Sequence, residues 1–281
     1  MKSTKKWFPY LLVIPSFLVA MLTVAYPICN GLVQSFESSN GGFTLDNYIY
    51  FFTDRNELAN IGYTLMICII TVVLTIVLAY LLAMYLRFTH SWFSKVMGFL
   101  YLLPRFVPSM VAVYSMIVVI RNSGFLNRFV ALFGVNFQPN LMYSASGIVM
   151  MNLWFNIPFA TMIIAASMGG VRDSLIESAL DVGAGKLMVF RSIILPLTYK
   201  DALVATTFVF MTNVGSFTTP YLMGGNAPKL LGVDLFNQFN SYGDYEKAAA
   251  LSTIMFLLCA VSAVVYIFTN MRSEEWEKNG N

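Results

Sequence analysis

Residues 183–186 read Gly-Ala-Gly-Lys, the tail of a loop that can wrap backbone N–H groups around a nucleotide phosphate. That chemistry needs Ser or Thr after the lysine, to reach the metal ion, and a glycine at the head of the loop so that the backbone can close. Leu187 and Leu180 stand at those two places, so no phosphate cradle is encoded here. His90 is the single histidine and has no second ligand nearby in sequence. Neither a zinc motif nor a Ser/His/Asp constellation is present. Cys29, Cys68 and Cys259 are odd in number, far apart and set in apolar runs, which argues against a disulfide framework and against metal-ligand spacing. The residues that could do covalent chemistry are thus not arranged to do it, and the chain is expected to be no enzyme and to hold no metal.

A second set of polar residues lies where polarity is costly. Arg105 interrupts an otherwise uncharged apolar run, and on insertion scales a guanidinium near the bilayer centre costs about 2.5 to 3.5 kcal/mol. It is expected to face protein, water or a passing solute. Two readings stay open: Arg105 snorkels or caps carbonyls freed by Pro104 and Pro108, or it contributes to a translocation cavity. Asn152, Trp154 and Asn156 in one run, and Asn213, Ser216, Thr218 and Thr219 in another, are candidates for the same pathway, since amides and hydroxyls pass a hydrated solute without trapping it. Interhelical hydrogen bonds explain such residues equally well, and Trp154 equally fits packing.

The elements that carry these residues follow from composition. Of 281 residues, 58% are apolar and 11% charged, and mean hydropathy is +0.69, the balance of a polytopic membrane protein rather than a soluble domain. A net charge of +3 is too weak to suggest nucleic acid. Six runs, at about 8–34, 60–86, 96–120, 142–168, 202–228 and 248–271, exceed the about 20 residues that a helix needs to cross hydrocarbon. Five contain no Asp, Glu, Lys or Arg, and the third contains only Arg105. Prolines interrupt several: Pro15 and Pro27, Pro104 and Pro108, Pro158, and Pro220. Each removes a backbone donor.

Orientation is read from the basic residues. With the N-terminus inside, the inner segments carry Lys2, Lys5, Lys6, Arg87, Lys95, Arg172, Lys186, Arg191, Lys200, Arg272 and Lys278. The outer ones carry Arg55, Arg121, Arg128, Lys229 and Lys247. This asymmetry places both termini in the cytoplasm. The first run follows Lys5 and Lys6 as a secretory signal would, but it is too long and lacks a small-residue cleavage site, so it reads as a retained span.

The largest inner segment, 169–200, contains ESALDVGAGKLMVFRSIILP at 177–196. Leu175, Ile176, Ala179, Leu180 and Gly183 recur at helical spacing, with Arg172, Asp173, Glu177 and Asp181 on other positions. A short amphipathic helix is expected, then a turn at Gly183 and Gly185, then a second apolar helix through Phe190, Ile193, Ile194 and Leu195 to Pro196. Taken alone it could lie in the membrane interface.

Glu177, Ala179, Gly183, Ile193, Leu195 and Pro196 resemble, at matching spacing, the EAA signature of permease subunits of binding-protein-dependent ABC importers. Ser178, where the family has a second alanine, is the departure. FTLDNYIYFF at 43–52, GFLN at 124–127, SFTTPYLMGG at 216–225 and the following KLLGVDLFNQF extend the likeness over essentially the whole chain, and the last two resemble the spermidine/putrescine branch. The resemblance implies an all-α, type I importer permease with six transmembrane helices in a single domain, 1–281, in a bacterial inner membrane. It also implies that Glu177, Ser178, Ala179, Gly183, Ile193, Leu195 and Pro196 belong to a coupling helix that docks on a separate ATPase subunit. The implied partners are ATPase subunits, a second similar permease chain, an extracytoplasmic solute-binding protein and membrane lipid. ATP and Mg would bind the ATPase subunit, and this chain would bind no cofactor. The implied cargo is a small polar solute of the polyamine type, with ferric iron, thiamine, phosphonate and sugar as alternatives. A secondary transporter would usually need intramembrane carboxylates, and none of the six runs has one. A channel would leave the 177–196 signature unexplained.

Overall fold

In lipid every backbone N–H and C=O must be satisfied within the segment, so apolar runs of this length form helices. The computed structural model describes residues 8–38, 41–135, 138, 140–225 and 227–279, with the backbone alone for 8–11 and 269–279. Lys2, Lys5 and Lys6, counted above for orientation, lie outside the described residues. In chain order the helices are α1 (Phe8–Ala20), α2 (Tyr26–Gln34), α3 (Asp46–Thr53), α4 (Arg55–Phe88), α5 (Trp92–Leu100), α6 (Ser109–Ile120) and α7 (Phe125–Ala131). They continue with α8 (Ala145–Gly169), α9 (Asp173–Asp181), α10 (Lys186–Val189), α11 (Leu195–Val214), α12 (Thr218–Met223), α13 (Leu231–Phe236) and α14 (Tyr245–Asn279). There is no strand among the described residues. Among the described residues six stretches are helical, long and apolar enough to span: Leu12–Gln34, Arg55–Phe88, Ser109–Ala131, Ala145–Gly169, Lys186–Val214 and Tyr245–Phe268.

Prolines decide where the boundaries depart from the hydropathy runs. In the first span Pro27 follows a π-helical turn, Met21–Ala25, in which Tyr26 N–H donates to the Met21 carbonyl, five residues back. The same device precedes Pro196, where Leu195 N–H donates to Phe190 across the π-helical turn Phe190–Ile194. Widening the turn by one residue removes the clash between a proline ring and the carbonyl four residues earlier. Helix therefore runs continuously from Lys186 into α11, well before residue 202. The far end of that span is also corrected: α11 stops at Val214 with Gly215 as its cap. Ser216, Thr218 and Thr219 then lie beyond the span, on the turn and short helix α12. Pro220 falls in the first turn of α12, where a missing N–H costs nothing because no intrahelical acceptor exists. In the third run Pro104 and Pro108 break the helix. α5 ends at Leu100, a 3-10 turn covers Leu103–Phe106, and α6 starts after Pro108. Pro158, by contrast, stays inside an unbroken α8.

The described residues gather into two units, one reaching up to Leu58 and including Asp234–Leu257, the other spanning Ala59–Val233 and the segment from Leu258 on. In the first, α3 is pinned by Asn47, whose buried amide donates to the carbonyls of Ser35 (3.1 Å) and Glu37 (2.9 Å). Tyr50 donates to Glu57 at 3.2 Å and receives Lys247 Nζ over its ring at 4.7 Å. Burial, reinforced by the Glu57 carboxylate, pushes the Tyr50 hydroxyl up to about 12. The phenol stays protonated, as a donor, at any physiological pH.

Among the described residues, the second unit holds several apolar clusters. The largest packs Ala79, Tyr80 and Ala83 of α4 against Ala160, Ile164 and Met168 of α8, Ile176 of α9, and Ala202, Ala205 and Val209 of α11. Small residues let these helices approach closely. Outside the clusters the spans present apolar side chains outward. Across the whole 12–34 stretch no residue of its apolar window is buried, so lipid or another chain must cover it.

Candidate functional site: a coupling hairpin and a polar strip

The 177–196 segment is a rigid hairpin, and its motif spacing has a backbone explanation. α9 ends at Asp181 and Val182 caps it; Gly183 adopts φ +88°, a left-handed conformation that strains most residues with a side chain. Gly183 N–H donates to Leu180 at 2.9 Å and Ala184 N–H to Ala179 at 3.0 Å. These two bonds form a Schellman motif, in which the residue after the left-handed position bonds back five residues. Ala179 and Gly183, four apart in the signature, are the outer acceptor and the left-handed residue of this cap. Ala179 and Ala184 both pack on the large cluster, the apolar contact that accompanies such caps.

The hairpin's inner side is built from Ile176, Val189 and Ile194, all under 10% exposed, with Ile193 and Leu195 half-buried beside them. Tyr80 anchors its exit. The Tyr80 hydroxyl lies 3.0 Å from Thr198 Oγ1, and its ring meets Phe190 edge-on at 5.6 Å. Ser167 Oγ donates to Asp201 Oδ2 at 2.5 Å, tying α8 to α11. The outer side is open and apolar: Val182 is 85%, Leu187 78% and Met188 63% exposed. Glu177, Ser178 and Pro196 are exposed too. A cavity of about 410 Å³ opens between the end of α4 and the hairpin, lined by Met84, Tyr85, Phe88, Leu180 and Lys186 among others. Leu180, grouped by its spacing with Ile176 and Ala179, is thus half-open to that cavity.

Of the pathway candidates, the structure brings some together and separates others. Arg105, on the exposed 3-10 turn, sets its guanidinium over the Phe159 ring of α8, 5.2 Å from the centroid. Phe159 meets Phe208 of α11 edge-on at 5.8 Å. One turn along each helix, Thr212 Oγ1 lies 3.4 Å from Asn156 Oδ1 and donates to α11 carbonyls at 3.0 Å. Arg105, Phe159, Phe208, Thr212 and Asn156 form one partly exposed strip across α8 and α11. Asn152 and Asn213 are instead buried, at 3% and 2%. Asn213 donates to Val209 at 2.6 Å, while Asn152 Nδ2 has no partner among the described residues. Trp154 packs edge-on against Phe155 in an apolar cluster with Val113, Met151 and Met223. Thr219 is buried in α12, and Ser216 and Thr218 belong to the chain's next elements, after the end of α11. Sequence reasoning did not single out Thr212, Tyr80 or Arg87. Thr212 beside Asn213 in an apolar span was the available signal, and Arg87 at the end of a span is a charge whose position invites a partner.

Residues 75–272 match the family of binding-protein-dependent transport system inner membrane components, and the chain belongs to that family. It is a multi-pass inner-membrane protein and a transmembrane subunit of an ABC importer. The spermidine/putrescine transport system permease protein PotB of Escherichia coli (strain K12) is 28% identical over 225 residues, covering 80% of this chain and 82% of that protein. The protein of the same name from Haemophilus influenzae is 23% identical, covering 94% and 90%. The fold is that of a subunit of a bacterial ABC transporter involved in the import of the acidic polysaccharide alginate, with TM-score 0.81, 17% identity and 96% of each chain covered.

Proposed function

We propose that this chain forms half of the translocation pathway of an importer for polyamines, and that it is driven through residues 177–196 by a separate ATPase subunit. The observation that carries the coupling role is the hairpin itself. A helix locked by a Schellman cap and packed on two spans presents Val182, Leu187 and Met188 to the outside, an apolar patch that calls for a protein partner. Closure of an ATPase dimer would tilt that rigid hairpin and the spans behind it together. ATP and Mg act on the ATPase subunit. A second permease chain completes the pathway, a solute-binding protein delivers cargo from outside, and both termini lie in the cytoplasm, as the basic residues indicate.

The polyamine reading rests on the PotB likeness over four fifths of the chain. One observation favours a second reading. A guanidinium on the polar strip, with its face on Phe159, repels a bare polycation in a dry pathway. Arg105 fits an anionic or chelated cargo, a phosphonate or a ferric complex, better than it fits spermidine. The complete importer in proteoliposomes decides the matter. Radiolabelled spermidine should accumulate with ATP, and putrescine should compete. Failure of spermidine to enter while a phosphonate or ferric chelate accumulates overturns the polyamine reading in favour of the second. Arg105→Ala is expected to lower uptake severalfold at unchanged membrane abundance, and unchanged uptake removes Arg105 from the pathway.

A further inference from the structure

We propose that Arg87 is a positioning residue that staples the joint between α8 and α9 to α4, so that the coupling hairpin moves as one body with both spans. The proposal rests on the reading that residues 177–196 receive the ATPase stroke. α8 ends at Gly169 with Gly170 as its cap, and α9 begins only at Asp173. Gly169 and Gly170 contribute no side chain to brace this joint, and a Cβ built at Gly169 would meet nothing within 4 Å. A stroke applied to α9 would bend the chain there before it moved α8.

Arg87, in the last turn of α4, crosses that joint. Its Nη1 donates to the Met168 carbonyl, and its Nη2 donates to the Val171 carbonyl at 2.6 Å and to Asp173 Oδ1 at 2.7 Å. One planar fork thus holds the last turn of α8, the linker, and the first turn of α9. The Met168 carbonyl already accepts the Val171 N–H at 3.0 Å, and its second lone pair is available to Arg87. The cation sits at the negative end of the α8 dipole, and Asp173 sits at the positive end of α9. The Arg87 side chain is only 17% exposed, against 80% for Asp173, so the carbonyl bonds are the screened, dependable part of the staple. Tyr80, seven residues earlier on the same face of α4, holds the exit of the hairpin through Thr198 and Phe190. α4 therefore grips the hairpin at both ends. A lysine cannot copy this geometry, because its single ammonium lacks the fork that reaches three separated acceptors.

The test uses the complete importer in proteoliposomes, with radiolabelled spermidine uptake counted per ATP hydrolysed. A second, cargo-independent readout is the distance between spin labels at Ser174 on α9 and Met162 on α8, before and after vanadate trapping. In Arg87→Gln the ATPase should copurify and hydrolyse ATP as usual. Uptake per ATP should fall at least tenfold, and the label distance, sharp in the parent, should broaden on trapping. Arg87→Lys should fall between the two, and Asp173→Asn, which spares the carbonyl bonds, should lose about twofold. If Arg87→Gln does not accumulate, the label distances of the other two variants decide. Unchanged distances together with unchanged uptake per ATP overturn the proposal, as does loss of ATPase copurification in Arg87→Gln, which would make Arg87 part of the dock. The reading beneath it is tested separately by Glu177→Lys with Gly183→Lys: if that variant still retains the ATPase, residues 177–196 are not the dock, whatever Arg87 does.

Discussion

Gly183→Val is expected to reduce ATP-driven uptake at least tenfold while leaving the amount of chain in the membrane unchanged. A β-branched residue at φ +88° costs about 1–3 kcal/mol in backbone strain, and the local remedy is to unwind the cap. Losing the bonds from Gly183 to Leu180 and from Ala184 to Ala179 would let α10 leave α9 at another angle, displacing Val182, Leu187 and Met188 relative to Glu177. The clusters beneath do not depend on this cap for their own packing, so the spans should survive. A Cβ at Gly183 meets nothing within 4 Å, which makes the effect conformational and not one of crowding within the chain. Gly183→Asn separates strain from bulk, because asparagine tolerates the left-handed region. It should retain most uptake and most ATPase copurification. Equal loss in both variants would show that any side chain at 183 obstructs the partner, and equal retention would show that the cap does not matter.

Gly232→Ala should destabilise the folded chain by about 1–3 kcal/mol, as overpacking of a close contact does, seen as a lower melting temperature in detergent. A Cβ there would lie 2.3 Å from the Ser216 carbonyl oxygen and 3.0 Å from its carbon. Both are backbone, and neither side can yield easily. The start of α13, where Gly232 lies, is held by Lys229 N–H donating to Asn60 at 2.8 Å and Leu231 N–H donating to Thr64 at 3.0 Å, with Leu230 and Leu231 fully packed. The Ser216 side is held by its own bond to Asn213. Gly62→Ala serves as the opposite control. It lies within α4, has nothing within 4 Å of an added Cβ, and should be neutral or stabilising by up to about 1 kcal/mol. A melting temperature unchanged in Gly232→Ala would mean that the 216 and 232 backbones are not in contact.

Periodicity and composition were enough for the spans in outline, for the all-helical class, and for the hairpin at 177–196. The reason is locality. Hydropathy is a property of consecutive residues, and the Ala179, Gly183 and Ala184 bonds close within six residues, so the signature and the backbone it specifies sit in the same short window. Proline positions were legible, but their outcomes were not: Pro158 leaves α8 intact, Pro104 and Pro108 sever α5 from α6, and Pro196 is absorbed by a π-helical turn. The same limit applies to side chains. Arg105 was legible as an anomaly, yet only packing of the 3-10 turn against α8 put it over Phe159, 54 residues away along the sequence. Asn152 and Asn156 are alike in type and one helical turn apart, and the structure buries one and opens the other toward Thr212. Arg87 passed as one more basic residue at the end of a span until the fold carried Met168, Val171 and Asp173 to it across more than 80 residues. Sequence alone determined which segments become helices and where the 177–196 hairpin lies, because those depend on nearest neighbours. Which polar groups meet, and hence how the hairpin is tied to the spans, was decided by tertiary packing, because such pairings have no period for a sequence to display.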